Sequence, residues 1–150
     1  MGYLLIVANT PSDNTQKIAD AVFRGANSSE YPAKKMRPLE AGAEDVLAAS
    51  GIIIGTTENF GYMSGQIKDF FERIYYPCLE KKQGMPWALY VVAGLDGTGA
   101  TNSVEKIVTG LKWRQVQERL LFKGEYNDCF QQQAEELGAG MSVGLEAKIF

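Results

Sequence analysis

The stretch VANTPSDNTQKIADAV, Val7 to Val22, decides the architecture. It opens on the end of an apolar run, Leu4 to Val7, with no polar face, as expected of a buried strand. It closes in a helical pattern, with Ile18, Ala19, Val22 and Ala26 on one side. Between the two lie Asn9, Thr10, Ser12, Asp13, Asn14 and Thr15, and no Lys or Arg occurs from Ala8 to Gln16. A buried strand that turns through a short polar loop into a helix is the first half of a βαβ unit.

The same alternation continues outward. The pattern predicts strands at Tyr3–Ala8, Ala33–Arg37, Gly51–Gly55, Trp87–Ala93 and Gln115–Phe122. The run Gly51-Ile52-Ile53-Ile54-Gly55 is apolar throughout, as a central parallel strand requires. Helices are predicted at Thr15–Ala26, at Ala43–Ala49, from about Ser64 to Tyr76 and around Val104, Ile107, Val108 and Leu111, and last at Asn127–Leu137. Pro77 is expected to end the third helix and Gly138 the last one. The 150 residues make one domain, and no linker or repeat divides it. Alternating strands and helices imply an α/β fold, a doubly wound parallel sheet with helices on both faces. Five strands suit the order 2-1-3-4-5, which places ligands outside the carboxyl ends of the central strands.

Composition narrows the chemistry. A net charge of −3 argues against nucleic acid or an anionic membrane as partner. No apolar run reaches the ~20 residues that cross a bilayer, so membrane insertion is not expected. MGYLLIVANT has no basic n-region, and Met1–Gly2 is not followed by the serine or threonine of a myristoylation motif. Two distant cysteines, Cys78 and Cys129, suit free thiols in a cytoplasmic protein. The chain has no histidine, which removes Ser-His-Asp and Cys-His nucleophiles and imidazole bases, and no metal site is expected. If the protein is an enzyme, a cofactor carries the reaction.

Three loops leave the carboxyl ends of the central strands: Asn9–Thr15, Thr56–Met63 and Ala93–Thr101. In the first, a helix N-terminus and the donors of Thr10, Ser12, Asn14 and Thr15 can satisfy a phosphate without any lysine. Plain helix capping by Ser12, Asp13 or Asn14 is the competing reading. Asp13 should face solvent while its backbone N–H contributes. The second loop, Thr57-Glu58-Asn59-Phe60-Gly61-Tyr62, joins small polar residues to two aromatics that can cover a planar ring or pack on the protein. The third holds Gly94, Asp96 and Gly97, whose backbone amides can read a ring edge. No GxxxxGK[ST] occurs, and Gly94–Gly99 lacks the spacing of a dinucleotide fingerprint.

Thr10-Pro11-Ser12-Asp13-Asn14-Thr15 resembles the phosphate loop of flavodoxin-like FMN proteins, Ser/Thr-x-Thr/Ser-Gly-x-Thr, and departs from it at Asp13. Gly55 to Phe70, GTTENFGYMSGQIKDF, is similar to the GTP-x-x-FG-x-M-x-x-x-x-K-x-F stretch of the NAD(P)H:quinone oxidoreductase and FMN-reductase branch, with Thr57 in place of proline. The resemblance implies that Thr10 to Thr15 hold the phosphate of FMN and that Thr57 to Tyr62 line one side of the isoalloxazine. It places Gly94, Asp96 and Gly97 along the pyrimidine edge or the other face.

Such a site serves either an enzyme or a carrier. An NAD(P)H-dependent oxidoreductase takes a hydride from NADPH or NADH and passes electrons to a quinone-like or other small acceptor. A flavodoxin-type carrier has no substrate of its own and serves a redox partner protein. Carriers of this family are usually more acidic than −3 and stack a tryptophan and a tyrosine on the ring, whereas the third loop here has no aromatic. Those points lean toward the enzyme. Tyr62 is the only loop phenol with a substrate-side role to test. A phospho-acceptor regulatory domain would need carboxylates where Asn9-Thr10 and Thr56-Thr57 stand. The tail 138–150 either covers the sheet or makes a homodimer contact.

Overall fold

The computed structural model describes residues 2–150. The first strand, β1 (Leu4–Ala8), is buried along its whole length and pairs in parallel with β2 (Ala33–Met36) on one side and β3 (Gly51–Asn59) on the other. Beyond β3 comes β5 (Pro86–Ala93), also parallel. The edge is shared by β6 (Arg114–Gln115) and β7 (Leu120–Lys123), both parallel to β5. Apart from a short antiparallel strand, β4 (Tyr62–Met63), which folds back on β3, this is the expected flavodoxin-like 2-1-3-4-5 order. β1 and β3 are the switch point, because the chain goes to opposite sides of the sheet from their ends.

The helices form two layers. α1 (Asp13–Ala26) and α5 (Cys129–Glu146) cover one face, where Leu4, Ile6, Ile53, Ala88 and Phe122 point. α2 (Ala43–Ala48), α3 (Gly65–Cys78) and α4 (Thr98–Leu111) cover the other, over Leu5, Val7, Ile52, Ile54, Leu89 and Val91. Successive strand residues serve opposite cores, so both must be apolar. That is why the central strands show no alternation. On α3, Ile67, Phe70, Phe71 and Ile74 form the buried stripe that their spacing predicts.

Four expectations need correction. The edge is not one strand from Gln115 to Phe122. Gln115 pairs with Trp87 and Leu120 with Tyr90, so the four residues Val116–Arg119 face only Ala88 and Leu89. The surplus bulges outward, and Arg119 reaches Glu105 at 3.0 Å. Pro77 lies inside α3, which runs to Cys78. So near the end, proline removes one hydrogen bond and the helix tolerates it. Gly138 does not end α5 but lets it touch α1: a Cβ there would lie 2.0 Å from the Val22 carbonyl oxygen. Gly25 mirrors it, 2.0 Å from the Glu135 oxygen. The tail therefore continues as helix, with Leu145 packed on Gly51 and Phe150 on Gly144. Finally, β3 runs past Gly55 to Asn59, so the second loop is a hairpin.

Candidate functional site

At the carboxyl end of β1, the chain leaves the sheet through Asn9 and enters α1 at Ser12. Ser12 is extended, with φ −141°, and caps the helix: its hydroxyl oxygen accepts from the Thr15 N–H at 3.2 Å. Thr15 Oγ1 accepts from the Ser12 N–H at 2.9 Å and donates to the Ser12 carbonyl oxygen at 2.9 Å. Capping and donor display are thus both present. The Thr15 hydroxyl hydrogen is committed, while the Ser12 hydroxyl keeps one to direct either to Thr15 Oγ1 or outward. Asp13 and Asn14 occupy the first helical turn, whose amides have no intrahelical partner and carry the positive end of the helix dipole. The Asp13 side chain is exposed. The donor set, made of hydroxyls, amides and a helix terminus, suits a phosphate monoester.

Asn9 was not among the expected site residues, yet it joins the first loop to the second. It is buried and donates from Nδ2 to Thr57 Oγ1 at 3.0 Å, and Thr57 in turn donates to Asn59 Oδ1 at 3.1 Å. This chain bridges the ends of β1 and β3 across the switch point. A polar residue directly after a fully apolar strand was the sequence signal for it.

The second loop is a tight hairpin, with Glu58 opposite Met63 and Asn59 opposite Tyr62. Its tip residues, Phe60 and Gly61, have φ of 54° and 70°, the left-handed pair that a two-residue hairpin turn needs. Glycine or asparagine is usual at such positions. Phenylalanine there is strained, and its side chain is fully exposed. Tyr62 is partly exposed beneath the Lys68 ammonium, which lies 5.8 Å from its ring centroid. Thr56 anchors the return strand by accepting from the Ser64 N–H at 3.0 Å, and Ser64 caps α3 by accepting from the Ile67 N–H.

The second and third loops clasp each other. Glu58 Oε1 accepts from the Gly97 N–H at 2.9 Å and Oε2 from the Ala100 N–H at 3.1 Å. Gly97, the N-cap of α4 with φ 89°, has no side chain of its own to cap with, so Glu58 does it from another element. The hairpin backs onto α4 so tightly that a Cβ on Gly99 would lie 1.9 Å from the Gly61 oxygen. The Met63 N–H donates to Ser103 Oγ at 3.1 Å. No planar group fits between Gly61 and Gly99. The Gly97 amide is already used, while Gly94, Leu95 and Asp96 stay on the surface, with Asp96 accepting from the Thr98 hydroxyl at 2.8 Å. With the hairpin closed on α4, the residues left to border a ring at the carboxyl ends of β3 and β5 are Thr57 and Asn59 on one side and the exposed Gly94–Asp96 on the other. Leu95, at the centre of that third-loop stretch, is 86% exposed.

In the sheet, Tyr90 packs against Gly55, whose absent Cβ would meet the phenol ring at 2.2 Å. The Tyr90 hydroxyl is buried without a hydrogen-bond partner, and burial pushes its pKa well above the ordinary phenol value. Cys78 is buried against α2, and desolvation raises its thiol pKa, which makes it an unreactive sulfur. Among the described residues, no cluster of three or more His, Cys, Asp or Glu could hold a metal ion, and no helix is long and apolar enough to cross a membrane.

A family model described as NADPH-dependent FMN reductase matches residues 10–128. A flavodoxin of Aquifex aeolicus (strain VF5) is 37% identical over 75 residues, 49% of this chain, and the chain spans only 40% of that relative's length. Among solved structures, a flavodoxin from the domain Archaea superposes with a TM-score of 0.82 at 18% identity, over 96% of this chain and 99% of its own. Rubredoxin oxygen:oxidoreductase from Desulfovibrio gigas gives 0.81 at 14% identity, over 99% of this chain and 37% of that one. At such identities the two structures speak for the fold alone, but the family model spans most of the chain, including Thr10–Thr15 and the second and third loops. The chain therefore belongs to the flavodoxin-like, FMN-binding family that the FMN-reductase model describes.

Proposed function

We propose that this protein is an NAD(P)H-dependent FMN oxidoreductase that passes electrons to a quinone-like or other small acceptor. The observation that carries the reading is the bare third loop: it offers no aromatic to cover a ring, and Gly94–Asp96 lie at the surface. A flavin seated there keeps one face free for a nicotinamide and then for the acceptor. FMN, when bound, would supply the redox chemistry, two-electron acceptance from the nicotinamide and delivery to the acceptor.

The chain's own residues bind and orient. Thr10, Pro11, Ser12, Asp13, Asn14 and Thr15 form the phosphate cradle through backbone amides and neutral side chains, with the Asp13 carboxylate turned to solvent. Thr57, Asn59, Phe60, Gly61 and Tyr62 wall one side. Gly94, Leu95 and Asp96 border the pyrimidine edge. Glu58 and Gly97 act by holding the two loops together rather than by touching the ring. Fixing Glu58 on the α4 terminus also keeps its charge engaged by two amides. No Lys or Arg lies in either loop, so backbone N–H groups must meet any charge that develops on the flavin. Water serves as proton donor, and Tyr62 is the side chain with a phenol within the wall.

The second reading, a carrier without its own substrate, is favoured by the name of the Aquifex relative and by exposed Phe60 and Leu95, which could meet a protein partner. Anaerobic mixing of FMN-loaded protein with NADPH or NADH separates the two. Bleaching of the flavin absorbance within seconds supports the reductase. No bleaching with either nucleotide, in protein that dithionite reduces normally, rejects it for the carrier.

A further inference from the structure

A cavity of about 620 Å³ lies at the carboxyl ends of β1 and β2. Asn9, Thr10 and Pro11 form one side of it, but none of Ser12–Thr15, Thr57–Tyr62 or Gly94–Gly97 lines it. Lys35, Met36 and Arg37 enter from the end of β2, and Leu39 and Glu40 from the turn that follows. Gln16 of α1 and Gln66 of α3 reach it from two helices. The turn is fixed before any ligand arrives. Arg73 of α3 donates from Nη1 to the Ala41 carbonyl oxygen and from Nη2 to that of Pro38, each at 2.7 Å, and the Glu40 and Ala41 N–H groups both donate to the Arg37 carbonyl oxygen. A wall held by a neighbouring helix keeps its shape, so binding there orders little backbone.

The two cations differ in availability. Lys35 is ion-paired with Asp20, which also accepts from Gln16 Nε2 at 2.9 Å. Arg37 donates from Nε to Glu40 at 3.2 Å, three residues along the chain, and the two side chains are 74% and 56% exposed. An exposed pair of this kind contributes little and yields to a dianion. Arg37 is therefore the group a phosphate would recruit, because its planar fork suits two oxygens of one phosphate. Beside it, half-buried Met36 and the 60% exposed Leu39 leave an apolar shelf inside the cavity. The Gln16 carbonyl and the Gln66 carboxamide add polar groups that can read a ligand edge. Few polar groups around an apolar surface, in a volume of this order, are the usual make-up of a small-molecule site.

We propose that this cavity is a second ligand site, for a free purine nucleoside monophosphate, with Arg37 taking the phosphate and Met36 and Leu39 lying against the base. A bare phosphate would leave the apolar shelf uncovered, and an uncharged nucleoside would leave the Arg37 fork unused. The two parts are worth most when one ligand fills both. Glu40 opposes the ligand twice, by competing for Arg37 and by repelling the phosphate. The site stands apart from the flavin. Its lining includes no residue of the second loop's hairpin or of the third loop, so the nucleotide binds while FMN stays in place and takes no part in electron transfer.

The test is calorimetric titration of FMN-loaded protein with 5′-AMP, 5′-GMP, adenosine and inorganic phosphate, with flavin fluorescence followed in the same samples. At least one of the two nucleotides should bind at least about tenfold tighter than adenosine or phosphate, without releasing FMN. Arg37→Ala should bring that nucleotide down to the level of adenosine. Glu40→Gln, which keeps an acceptor for the Arg37 N–H but removes the charge, should tighten it by about threefold. The opposite signs of these two variants distinguish direct phosphate contact from a general loosening of the turn. Lys34→Ala removes a nearby cation that does not line the cavity and should change nothing. Nucleotides that bind no tighter than phosphate, that displace the flavin, or that lose as much affinity in Lys34→Ala as in Arg37→Ala overturn the inference. None of these results depends on whether NADPH or NADH reduces the flavin.

Discussion

Replacing Glu58 with alanine should unlatch the second loop from the third. In the native protein its two oxygens accept from Gly97 and Ala100 at 2.9 and 3.1 Å, at the start of a helix whose N-cap is a glycine. Both amides belong to buried residues, so water replaces the carboxylate poorly. Loss of an N-cap side chain costs roughly 1 kcal/mol. Loss of a negative charge at a helix N-terminus adds about 0.3–1 kcal/mol. Together these predict about 1.3–2 kcal/mol of destabilisation, or a fall of roughly 3–8 °C in Tm for a domain of this length. Glu58→Gln keeps an acceptor for one amide but turns an NH2 toward the other, and should melt between wild type and Glu58→Ala. Thermal unfolding followed by circular dichroism measures both. Because Glu58 holds the hairpin against α4, the alanine variant should also release FMN more readily, seen by flavin fluorescence. An alanine variant that melts within about 1 °C of wild type, on the order of 0.3 kcal/mol, would refute the cross-loop cap.

Four further outcomes are expected. The double variant Ser12→Val, Thr15→Val should weaken FMN binding by at least about tenfold, roughly 1.4 kcal/mol, in fluorescence titration, since it removes the Ser12 donor and the Thr15 hydroxyl that holds the loop in its capping box; unchanged affinity would sink the phosphate assignment. Gly138→Ala should cost about 1–3 kcal/mol by pushing α5 off α1, whereas Gly65→Ala, with open space around its Cβ, should be neutral or stabilising by about 0.4–1 kcal/mol; equal urea midpoints for the two would contradict the close helix contact. Tyr90→Phe removes a hydroxyl that is buried without a partner and should leave stability at pH 7 unchanged or higher. Because burial raises the folded-state pKa of Tyr90, its contribution is intact below the unfolded value of about 10 and is lost as pH climbs above it. The Phe variant should therefore lose stability less steeply than wild type between about pH 10 and 11, a difference that denaturant titrations at each pH would reveal. Phe60→Asn should raise Tm by relieving a left-handed aromatic residue while changing the flavin spectrum or affinity; a variant that gains no stability would show that the turn is unstrained.

Much of the architecture follows from residue order alone. Leu4–Val7 and Ile52–Ile54 carry no polar position, and only a strand covered on both faces tolerates that. The 3.6-residue spacing of Ile67, Phe70, Phe71 and Ile74 likewise leaves one buried helix face. The capping residues of the first loop were legible because a hydroxyl at an N-cap acts on amides within three residues of itself. What local reading missed depends on partners remote in sequence. Pattern alone assigned Gly138 to a helix end, but the glycine is required by the Val22 carbonyl, on another helix. Glu58 looked like a ring-side carboxylate, yet it is bound by amides some forty positions away, and its charge serves a helix terminus. Lys35 and Arg37 sat on an unremarkable polar edge strand until the order β2-β1-β3 set them beside the first loop. Sequence thus determines which segments must be buried and where helices start, since those are set by short-range periodicity and self-contained hydrogen bonds. Tertiary structure alone decided which loops touch, where free volume remains and which charges are already spent, because close approach between distant segments leaves no local trace.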